Sequence, residues 1–461
     1  MTQQVSVDLL ERYDQPGPRY TSYPTAPVWG EGFGPSDYAE RLSLAGECVD
    51  RPMSVYVHIP YCERLCLYCA CNVVITRDAA NGEDYAQAVL NEARLVARHM
   101  GSARPVVQHH WGGGTPTFLA PDVMRRLFDG LAELFPPAPG AEVSIEVDPR
   151  VTTREHLRAL AAAGFRRISL GVQDFDATVQ LAIHREQSFD LTRGLIADAR
   201  ALGFDSVNLD LVYGLPQQSV PGFDRTLEQV HELAPDRIAC YSYAHVPWLK
   251  KHQRAIDESA LPRGADKLAL YQHALEFLAD RGYEPIGMDH FSRREDELAV
   301  AARQGRLHRN FMGYTTRAAD DLIGLGLTAI SEVHGAFAQN HKAMSQWRAA
   351  LADDSLPTTR GHLRSEEDER RRGIVLDLMC RFICRYDDHG GVDSFRSRYG
   401  EELQRLSAAV DDGLVRVDDE AITVTRVGRL FVRNVCMAFD EYLGREQPKR
   451  PQVTERFSRT I

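Results

Sequence analysis

The chain has 461 residues, of which 44% are hydrophobic and 26% are charged, as in ordinary soluble globular proteins. Its 54 basic and 65 acidic residues give a net charge of -11, which disfavours non-specific binding to nucleic acid or to anionic lipid. The longest apolar stretch, residues 322–330, is about half of a membrane span. The polar start resembles no signal peptide, so we expect a cytoplasmic protein whose nine cysteines are reduced.

The first segment of the chain is rich in proline, with Pro16, Pro18, Pro24 and Pro27 close together. Proline removes a backbone donor and restricts the residue before it, so residues 17–26 cannot form a helix. We therefore predict an extended N-terminal arm over residues 1–50.

A regular alternation of short β-rich runs and helical patterns follows, between residues 53 and 247. Such an alternation predicts an α/β protein with a parallel sheet and helices outside, and right-handed crossovers curl that sheet toward a barrel. Six strand–helix units are fewer than the eight of a complete TIM barrel, so we predict a partial (β/α)6 barrel that, with an extension, occupies residues 51–350. The predicted strands are 55–59, 106–111, 142–147, 167–172, 206–212 and 237–243, and the predicted helices are 83–99, 121–135, 153–163, 189–202 and 221–233.

The pattern changes after residue 247. Helices at 265–281 and 364–384 are predicted to flank a glycine-rich middle, and a further helix is predicted at 403–409. Residues 412–417 and 421–425 then suggest a hairpin, and residues 428–437 a last helix. We predict a small, mainly helical, winged-helix-like C-terminal domain over residues 360–461.

Four of the nine cysteines lie within ten residues, directly after the first predicted strand. Cys62, Cys66 and Cys69 are spaced so that a loop could wrap three thiolates around one metal centre, and soft thiolates favour zinc or an iron–sulfur cluster. A structural zinc site normally needs four ligands, and no second cysteine pair follows at zinc spacing. We therefore predict a 4Fe–4S cluster with one open iron, the alternative being a structural metal knuckle. The other cysteines are most simply buried thiols: Cys48, Cys240, Cys380, Cys384 and Cys436.

Polar residues and glycines stand where the predicted strands end. Ligands of parallel barrels bind at the carboxyl ends of the strands. Three consecutive glycines before Thr115 allow close approach of a ligand to the backbone, although a tight turn is the plain alternative. The candidates for a polar rim at this end, each of which could also be a solvated loop residue, are Glu146, Asp148, Gln173, Asp174 and Asp210.

The CxxxCxxC spacing, with Tyr68 before the last cysteine, resembles the signature of the radical S-adenosylmethionine superfamily. Within it the chain resembles the oxygen-independent coproporphyrinogen III oxidases, also called dehydrogenases, from residue 19 to 461. The resemblance rests on Cys71 and on residues 18–25, 56–60, 110–117, 287–291 and 308–311. It implies an oxidoreductase that converts two propionates of coproporphyrinogen III into the vinyl groups of protoporphyrinogen IX, in anaerobic haem biosynthesis, by means of a 5′-deoxyadenosyl radical.

The resemblance also implies roles for individual residues. Tyr56, Cys71 and Glu146 are expected to be catalytic, and Tyr56, Gly113 and Glu146 to bind a first S-adenosylmethionine. Two molecules of S-adenosylmethionine are expected per substrate, one for each propionate. The residues expected at the second are Tyr68, Gly114, Thr115, Gln173, Arg185, Asp210, Ala244 and Ile330.

The expected partners are coproporphyrinogen III and a low-potential electron donor such as flavodoxin or ferredoxin, with no nucleic acid, and we expect a monomer. Arg19, Arg309 and Arg317 are candidates for binding substrate propionates, since a guanidinium matches a carboxylate. Met288 and His290 are more simply packed residues, and His109 and His110 structural ones. The alternative function is that of a haem-binding chaperone, because relatives with this cluster motif carry haem instead of oxidising a porphyrinogen.

Overall fold

The computed structural model describes residues 7–443 and 457–459. Two predictions extend beyond the described residues: the N-terminal arm includes residues 1–6, and the C-terminal domain includes residues 444–456 and 460–461. The strands of the described part, in chain order, are β1 (Met53–Ile59), β2 (Tyr61–Cys62), β3 (Val74–Ile75), β4 (Val106–Gly113), β5 (Pro137–Val147), β6 (Arg167–Gln173), β7 (Ser206–Tyr213), β8 (Arg237–Ser242), β9 (Tyr283–Gly287), β10 (His290–Arg293), β11 (His308–Asn310), β12 (Gly313–Thr315), β13 (Asp321–Leu325), β14 (Ile330–Val333), β15 (Ala336–Asn340), β16 (Thr358–Leu363), β17 (Ile383–Arg385), β18 (Val415–Val417) and β19 (Ala421–Val424).

The helices alternate with the parallel strands, as the sequence pattern predicts. None of the described helices is both long enough and apolar enough to cross a membrane. In chain order they are α1 (Val7–Tyr13), α2 (Pro35–Gly46), α3 (Ala80–Met100), α4 (Pro121–Leu134), α5 (Arg154–Ala162), α6 (Ala177–Ala182), α7 (Phe189–Ala201), α8 (Val220–Leu233), α9 (Ala265–Asp280), α10 (Glu297–Arg303), α11 (Met344–Ala352), α12 (Glu366–Arg381), α13 (Val392–Arg405), α14 (Ser407–Asp411) and α15 (Val432–Met437).

One large sheet forms the partial barrel. Its strand order is β16-β15-β14-β13-β1-β4-β5-β6-β7-β8-β10-β9, and β1, β4, β5, β6, β7 and β8 pair in parallel. Along β1, Val55 and Val57 belong to the same buried cluster as Val89 and Val96 of α3 on the outside of the sheet. Because side chains alternate along a strand, Tyr56 between them faces the barrel interior. The predicted α/β partial barrel is confirmed.

The sheet extends further than six strands. β13 adds a seventh parallel strand beside β1, β14 to β16 continue it in antiparallel pairing, and β10 and β9 close the other edge. The sequence pattern did not identify these strands, because the segment contains several glycines. Gly324 of β13 explains why: a Cβ there would collide with the backbone of Ile330 on β14. The glycine marks two closely packed strands and not a loop.

The N-terminal segment was expected to be irregular, and this is wrong for two stretches, where α1 and α2 form. Tyr38, Leu42 and Ala45 are buried on one face of α2, so tertiary packing stabilises a helix directly after the proline-rich stretch. Residues 17–25 form no helix, as predicted, but the chain bends at residues 21–24 and is not extended throughout. Tyr20 and Tyr23 of this stretch are buried with the C-terminal helices.

The C-terminal module consists of α12 to α15 and a small sheet of order β17-β19-β18. The predicted hairpin at 412–425 is confirmed as β18 and β19. The predicted helix at 364–384 is too long, because α12 ends at Arg381. Phe382 then adopts a left-handed backbone with φ 58°, and the chain turns into β17.

Candidate active site

The loop after β1 brings the cysteine cluster together at the carboxyl end of the barrel strands. Cys62, Cys66, Cys69 and Cys71 all line one cavity of about 150 Å³. Cys66 is buried, Cys62 and Cys69 are half-buried, and Cys71 is exposed. The three thiols predicted to be ligands therefore converge on one space, and Cys71 lies beside them.

Residues that the sequence analysis did not identify hold this loop in place. They lie after β8: His252 and Gln253 belong to a 3-10 helix, Lys251–Ala255, and Lys250 directly precedes this helix. The Gln253 side chain donates a hydrogen bond to the carbonyl of Tyr68 at 2.9 Å, and Lys250 donates to the carbonyl of Cys71 at 2.9 Å. A ring nitrogen of His252 lies 2.7 Å from the carbonyl oxygen of Cys69. Because these contacts join segments about 180 residues apart, no local signal reveals them.

Two guanidinium groups face the sulfur of Cys66. Arg150 Nη2 donates to this sulfur at 3.4 Å, and Arg185 Nη1 donates at 3.6 Å. Asp148 accepts hydrogen bonds from both arginines and holds them in place. Although burial opposes ionisation, Arg185 and Arg150 keep the pKa of Asp148 below its usual value. Arg150 was missed by the sequence analysis, although it lies two residues after the predicted rim residue Asp148.

The chemistry of this donor set fits an iron–sulfur cluster. Three soft sulfur donors surround one cavity, and positive groups next to Cys66 suit the thiolate form that a metal requires. Cys71 lowers the pKa of Cys69 to about 6, chiefly through a hydrogen bond from its side chain. Burial instead raises the pKa of Cys62 to about 11, and a bound metal would displace its proton.

The glycine turn after β4 forms another wall of the cavity. Gly113 has a φ of 113°, and its N–H donates to Glu146 Oε2 at 3.2 Å. A Cβ on Gly114 would lie 2.8 Å from the backbone of Pro60 and Tyr61, so only glycine lets the two loops touch. Thr115 follows, with its hydroxyl 3.4 Å from the sulfur of Cys62. The turn is thus packed directly against the cysteine loop.

Glu146, at the end of β5, connects the cavity with the barrel interior. Its Oε1 lies 3.4 Å from His110 Nε2, and His110 stacks on Tyr56 with ring centroids 6.0 Å apart. The Tyr56 hydroxyl lies 3.1 Å from His58 Nδ1. Despite burial, the hydrogen bond with His110 keeps the pKa of Glu146 below its usual value. His110, which we expected to be structural, thus contacts a predicted catalytic residue.

Gln173 of β6, Asp210 of β7 and Arg185 from the connection between these two strands line the same cavity. Arg185 Nη2 donates to the carbonyl of Gly171 at 2.7 Å. Asp210 accepts hydrogen bonds from Ser169 at 3.1 Å and from Asn208 at 2.8 Å. Burial, aided by the charge of Glu146, raises the pKa of Asp210 to about 7.

A few predicted residues do not line this cavity. Ala244 is linked to it indirectly, because Gln253 donates to the carbonyls of both Ala244 and Tyr68. The backbone of Ile330 on β14 lies against Gly324 on β13, and Gly324 in turn pairs with Tyr56 on β1. Asp174 is fully buried against Thr226 and Gln218, so its expected place on the polar rim is wrong.

The N-terminal arm reaches the same interior from the other side. Arg19 forms an ion pair with Asp289, and its guanidinium lies over the ring of Tyr241 at 5.6 Å. The pKa of Tyr241 is raised by burial and then by the charges of Asp210 and Asp289. Tyr241 therefore lies between the arm and the cavity lined by the four cysteines, which we call the cofactor cavity.

The fold and the cysteine site place the chain in a known class. The family model of the radical SAM superfamily matches residues 56–230, which contain the cysteine loop and most of the parallel strands. The chain is 41% identical to the oxygen-independent coproporphyrinogen III oxidase of Synechocystis, over all of this chain and 99% of that protein. It is 42% identical to the enzyme of the same name from Escherichia coli, over 100% and 99% of the two chains.

A solved structure agrees with these sequence matches. The coproporphyrinogen III oxidase of Escherichia coli, a radical SAM enzyme, superposes with a TM-score of 0.88 at 42% identity, covering 92% of this chain and 98% of that one. The chain belongs to the family of oxygen-independent coproporphyrinogen III oxidases.

Proposed function

We propose that this protein carries out the oxidative decarboxylation of coproporphyrinogen III to protoporphyrinogen IX. Each of two propionates loses a hydrogen atom, carbon dioxide and one electron, and a vinyl group remains. When bound, a reduced 4Fe–4S cluster and S-adenosylmethionine supply the 5′-deoxyadenosyl radical that takes the hydrogen atom. The observation that carries the proposal is the convergence of three cysteines and a glycine turn on one cavity, in a chain of this family.

In this proposal the cysteine loop holds the cluster and the surrounding residues set its charge. Cys62, Cys66 and Cys69 would hold the cluster, and the iron without a cysteine ligand would be available to S-adenosylmethionine. Arg150 and Arg185 donate to Cys66, and they partly neutralise the negative cluster. Cys71, exposed beside the loop, is not a ligand and acts on the substrate side.

The sulfonium cofactor is bound by further residues of the cavity together with Tyr56, Ala244 and Ile330, which lie outside its lining. Glu146 and Asp210 suit the positive groups of the cofactor. Tyr56, Gly113 and Glu146 bind the first molecule. The second is bound by Tyr68, Gly114, Thr115, Gln173, Arg185, Asp210, Ala244 and Ile330, so that two molecules are consumed per porphyrinogen.

The substrate lies between this cavity and the arm. Tyr241 and Arg19 lie along that path, and Arg19, half-buried and paired with Asp289, carries a guanidinium that matches a propionate. We further propose that the protein is a cytoplasmic monomer and that a flavodoxin or a ferredoxin reduces the cluster.

The haem-binding alternative is not favoured. The relatives that match over the whole chain are named as oxidases, and the arm residues 18–25 and Cys71 are both present in this chain.

The test is an anaerobic assay of reconstituted protein with S-adenosylmethionine, dithionite and coproporphyrinogen III. We expect about two molecules of 5′-deoxyadenosine for each protoporphyrinogen IX formed. Haem that stays bound, without either product, would refute the oxidase and favour the carrier.

Three cysteine variants sharpen the assay. Cys66→Ala should lose the brown absorbance and most of the iron, whereas Cys71→Ser should keep the iron and lose most turnover. Cys48→Ala, a half-buried cysteine outside the loop, is the control and should resemble the wild type. Loss of iron in Cys71→Ser would make Cys71 a ligand and contradict the assignment.

A further inference from the structure

A second cavity lies at the opposite end of the barrel, and the cofactor cavity shares none of its lining residues. Its volume is about 460 Å³, and it is bounded by the start of β1, the hairpin β11–β12 and α12. Ser54 lines this cavity, whereas Ile59 leads into the cysteine loop. At about 3.3 Å per residue, the two cavities are separated by roughly 17 Å along β1.

Arg309 is the residue that distinguishes this cavity. It is only 7% exposed, yet among residues 7–443 and 457–459 nothing accepts a hydrogen bond from its Nε or Nη1. Its guanidinium lies over the ring of Tyr314 at 4.5 Å, which fixes its plane without satisfying its donors. A buried charged donor without an acceptor costs considerable free energy, so such a group normally has a ligand.

A second unsatisfied donor lies in the same wall. The Nε of Arg317 is buried and has no acceptor within the described part of the chain, and Arg317 approaches Glu297 only to 3.7 Å. Arg309 is the middle residue of β11 and Arg317 lies two residues after β12, and both line the cavity. Two guanidinium groups with free donors are a suitable arrangement for an oxyanion.

The acidic residues of the cavity do not compensate these two arginines. Asp321 is paired with Arg104, and Glu332 is paired with Arg364 and Arg372. Asp377 is paired with Arg381 and contacts His389 at 2.9 Å. Asp320, the remaining carboxylate, is exposed to solvent. Three of the four carboxylates in the lining are therefore paired with other basic residues and not with Arg309 or Arg317.

We propose that Arg309 and Arg317 form a second ligand site, which binds an oxyanion, a carboxylate or phosphate group, at the end of the barrel opposite the cysteine loop. The oxyanion is either a free anion or a propionate of the porphyrinogen. The assignment to a propionate rests on the proposed function, whereas the assignment to a free anion does not.

Thermal unfolding of the cluster-loaded full chain tests the site, under anaerobic conditions and without S-adenosylmethionine. Inorganic phosphate, and separately succinate, replaces sodium chloride at constant ionic strength. At least one of these anions should raise the Tm of the wild type by a few degrees. The Arg309→Met variant should lose that shift, and its Tm in chloride should not fall, because an unpaired buried charge has been removed.

Two further variants keep the test decisive. Arg303→Gln changes an exposed arginine paired with Glu284 and should retain the wild-type shift. Arg317→Gln should weaken the shift, and it carries the test if Arg309→Met does not fold. The proposal is overturned if neither anion shifts the Tm of the wild type, or if the shift persists in both Arg309→Met and Arg317→Gln.

Kinetics then identify the source of the oxyanion. Competitive inhibition of porphyrinogen turnover by phosphate, with a raised KM in the arginine variants, assigns the site to a substrate propionate. An unchanged KM together with the Tm shift assigns it to a free anion. Because the Tm shift needs no turnover, it would still be measured if the oxidase activity were absent. Failure of the anion site and failure of the proposed function can therefore be told apart.

Discussion

The sulfur of Cys66 accepts hydrogen bonds from two guanidinium groups, and this sets a testable property of the bound cluster. A positive charge beside the cluster favours its more negative, reduced form. We therefore expect Arg150→Gln to lower the midpoint potential, on the order of tens of millivolts, while the cysteines still bind iron. A redox titration followed by electron paramagnetic resonance measures it.

The matched control for Arg150 is Arg154→Gln. Arg154 is exposed, lies four residues further on and pairs with Asp198 at 3.3 Å, away from the cysteine loop. An unchanged potential in Arg150→Gln, or an equal shift in Arg154→Gln, would show that the contact with Cys66 does not tune the cluster.

Asp210 gives a prediction for pH dependence. Burial raises its pKa to about 7 in the folded chain, above the value of about 3.9 expected after unfolding. The folded state therefore holds the proton more tightly, and its stability falls as the pH rises toward and through 7. Asp210→Asn removes this loss, so the Tm of the variant minus the Tm of the wild type should increase from pH 6 to pH 8. A constant difference in Tm over that range would contradict the raised pKa.

At the scale of single elements, Glu92 of α3 joins the barrel to its antiparallel extension. Its carboxylate accepts hydrogen bonds from the N–H of Gly326 at 2.9 Å, from Asn340 and from Trp347 at 3.1 Å, and the side chain is buried. Glu92→Ala would leave three buried donors unpaired, at about 1–3 kcal/mol each. We expect a loss of at least about 3 kcal/mol of unfolding free energy, measured by denaturant titration.

Glu83→Ala is the control for Glu92, because Glu83 lies exposed on the same helix and pairs only with Arg126 among its described contacts. Its cost should stay below about 1 kcal/mol, as for other surface ion pairs. Equal losses in the two variants would show that helix propensity, and not the buried network, explains the result.

The elements also show what the sequence can predict. The strands β1 and β4 to β8 were predicted because they are short, β-rich runs separated by helical patterns. The strands β13 to β16 were missed, since Gly324 and Gly326 look like loop residues until the neighbouring strand is known. A glycine required by close approach of two backbones has no local signature that distinguishes it from a turn.

The candidate site likewise contains residues that the sequence could predict and residues that it could not. Spacing alone predicted that Cys62, Cys66 and Cys69 converge, and the glycine turn was predicted from its position after a strand. The support from Arg150 and His252 could not be predicted, because both contact the loop from distant parts of the chain. Local motifs thus identify the residues that touch a cofactor better than those that position them.

At the scale of the whole molecule, the arm and the C-terminal module enclose one side of the barrel. Tyr20 donates a hydrogen bond to Asp440 at 3.1 Å, while Arg19, the preceding residue, forms an ion pair with Asp289. The arm therefore contacts both the module and the interior. Such an enclosure suits radical chemistry, which must exclude water and oxygen.

We propose that three cysteines hold the cluster and leave one iron open to S-adenosylmethionine. Electron paramagnetic resonance of the reduced, reconstituted protein, recorded with and without S-adenosylmethionine, distinguishes this arrangement from a metal centre with four protein ligands. We predict a clear change of the 4Fe–4S signal when the cofactor binds, and its cleavage to 5′-deoxyadenosine. An unchanged signal from a metal centre with four protein ligands, with no cleavage, would contradict the account.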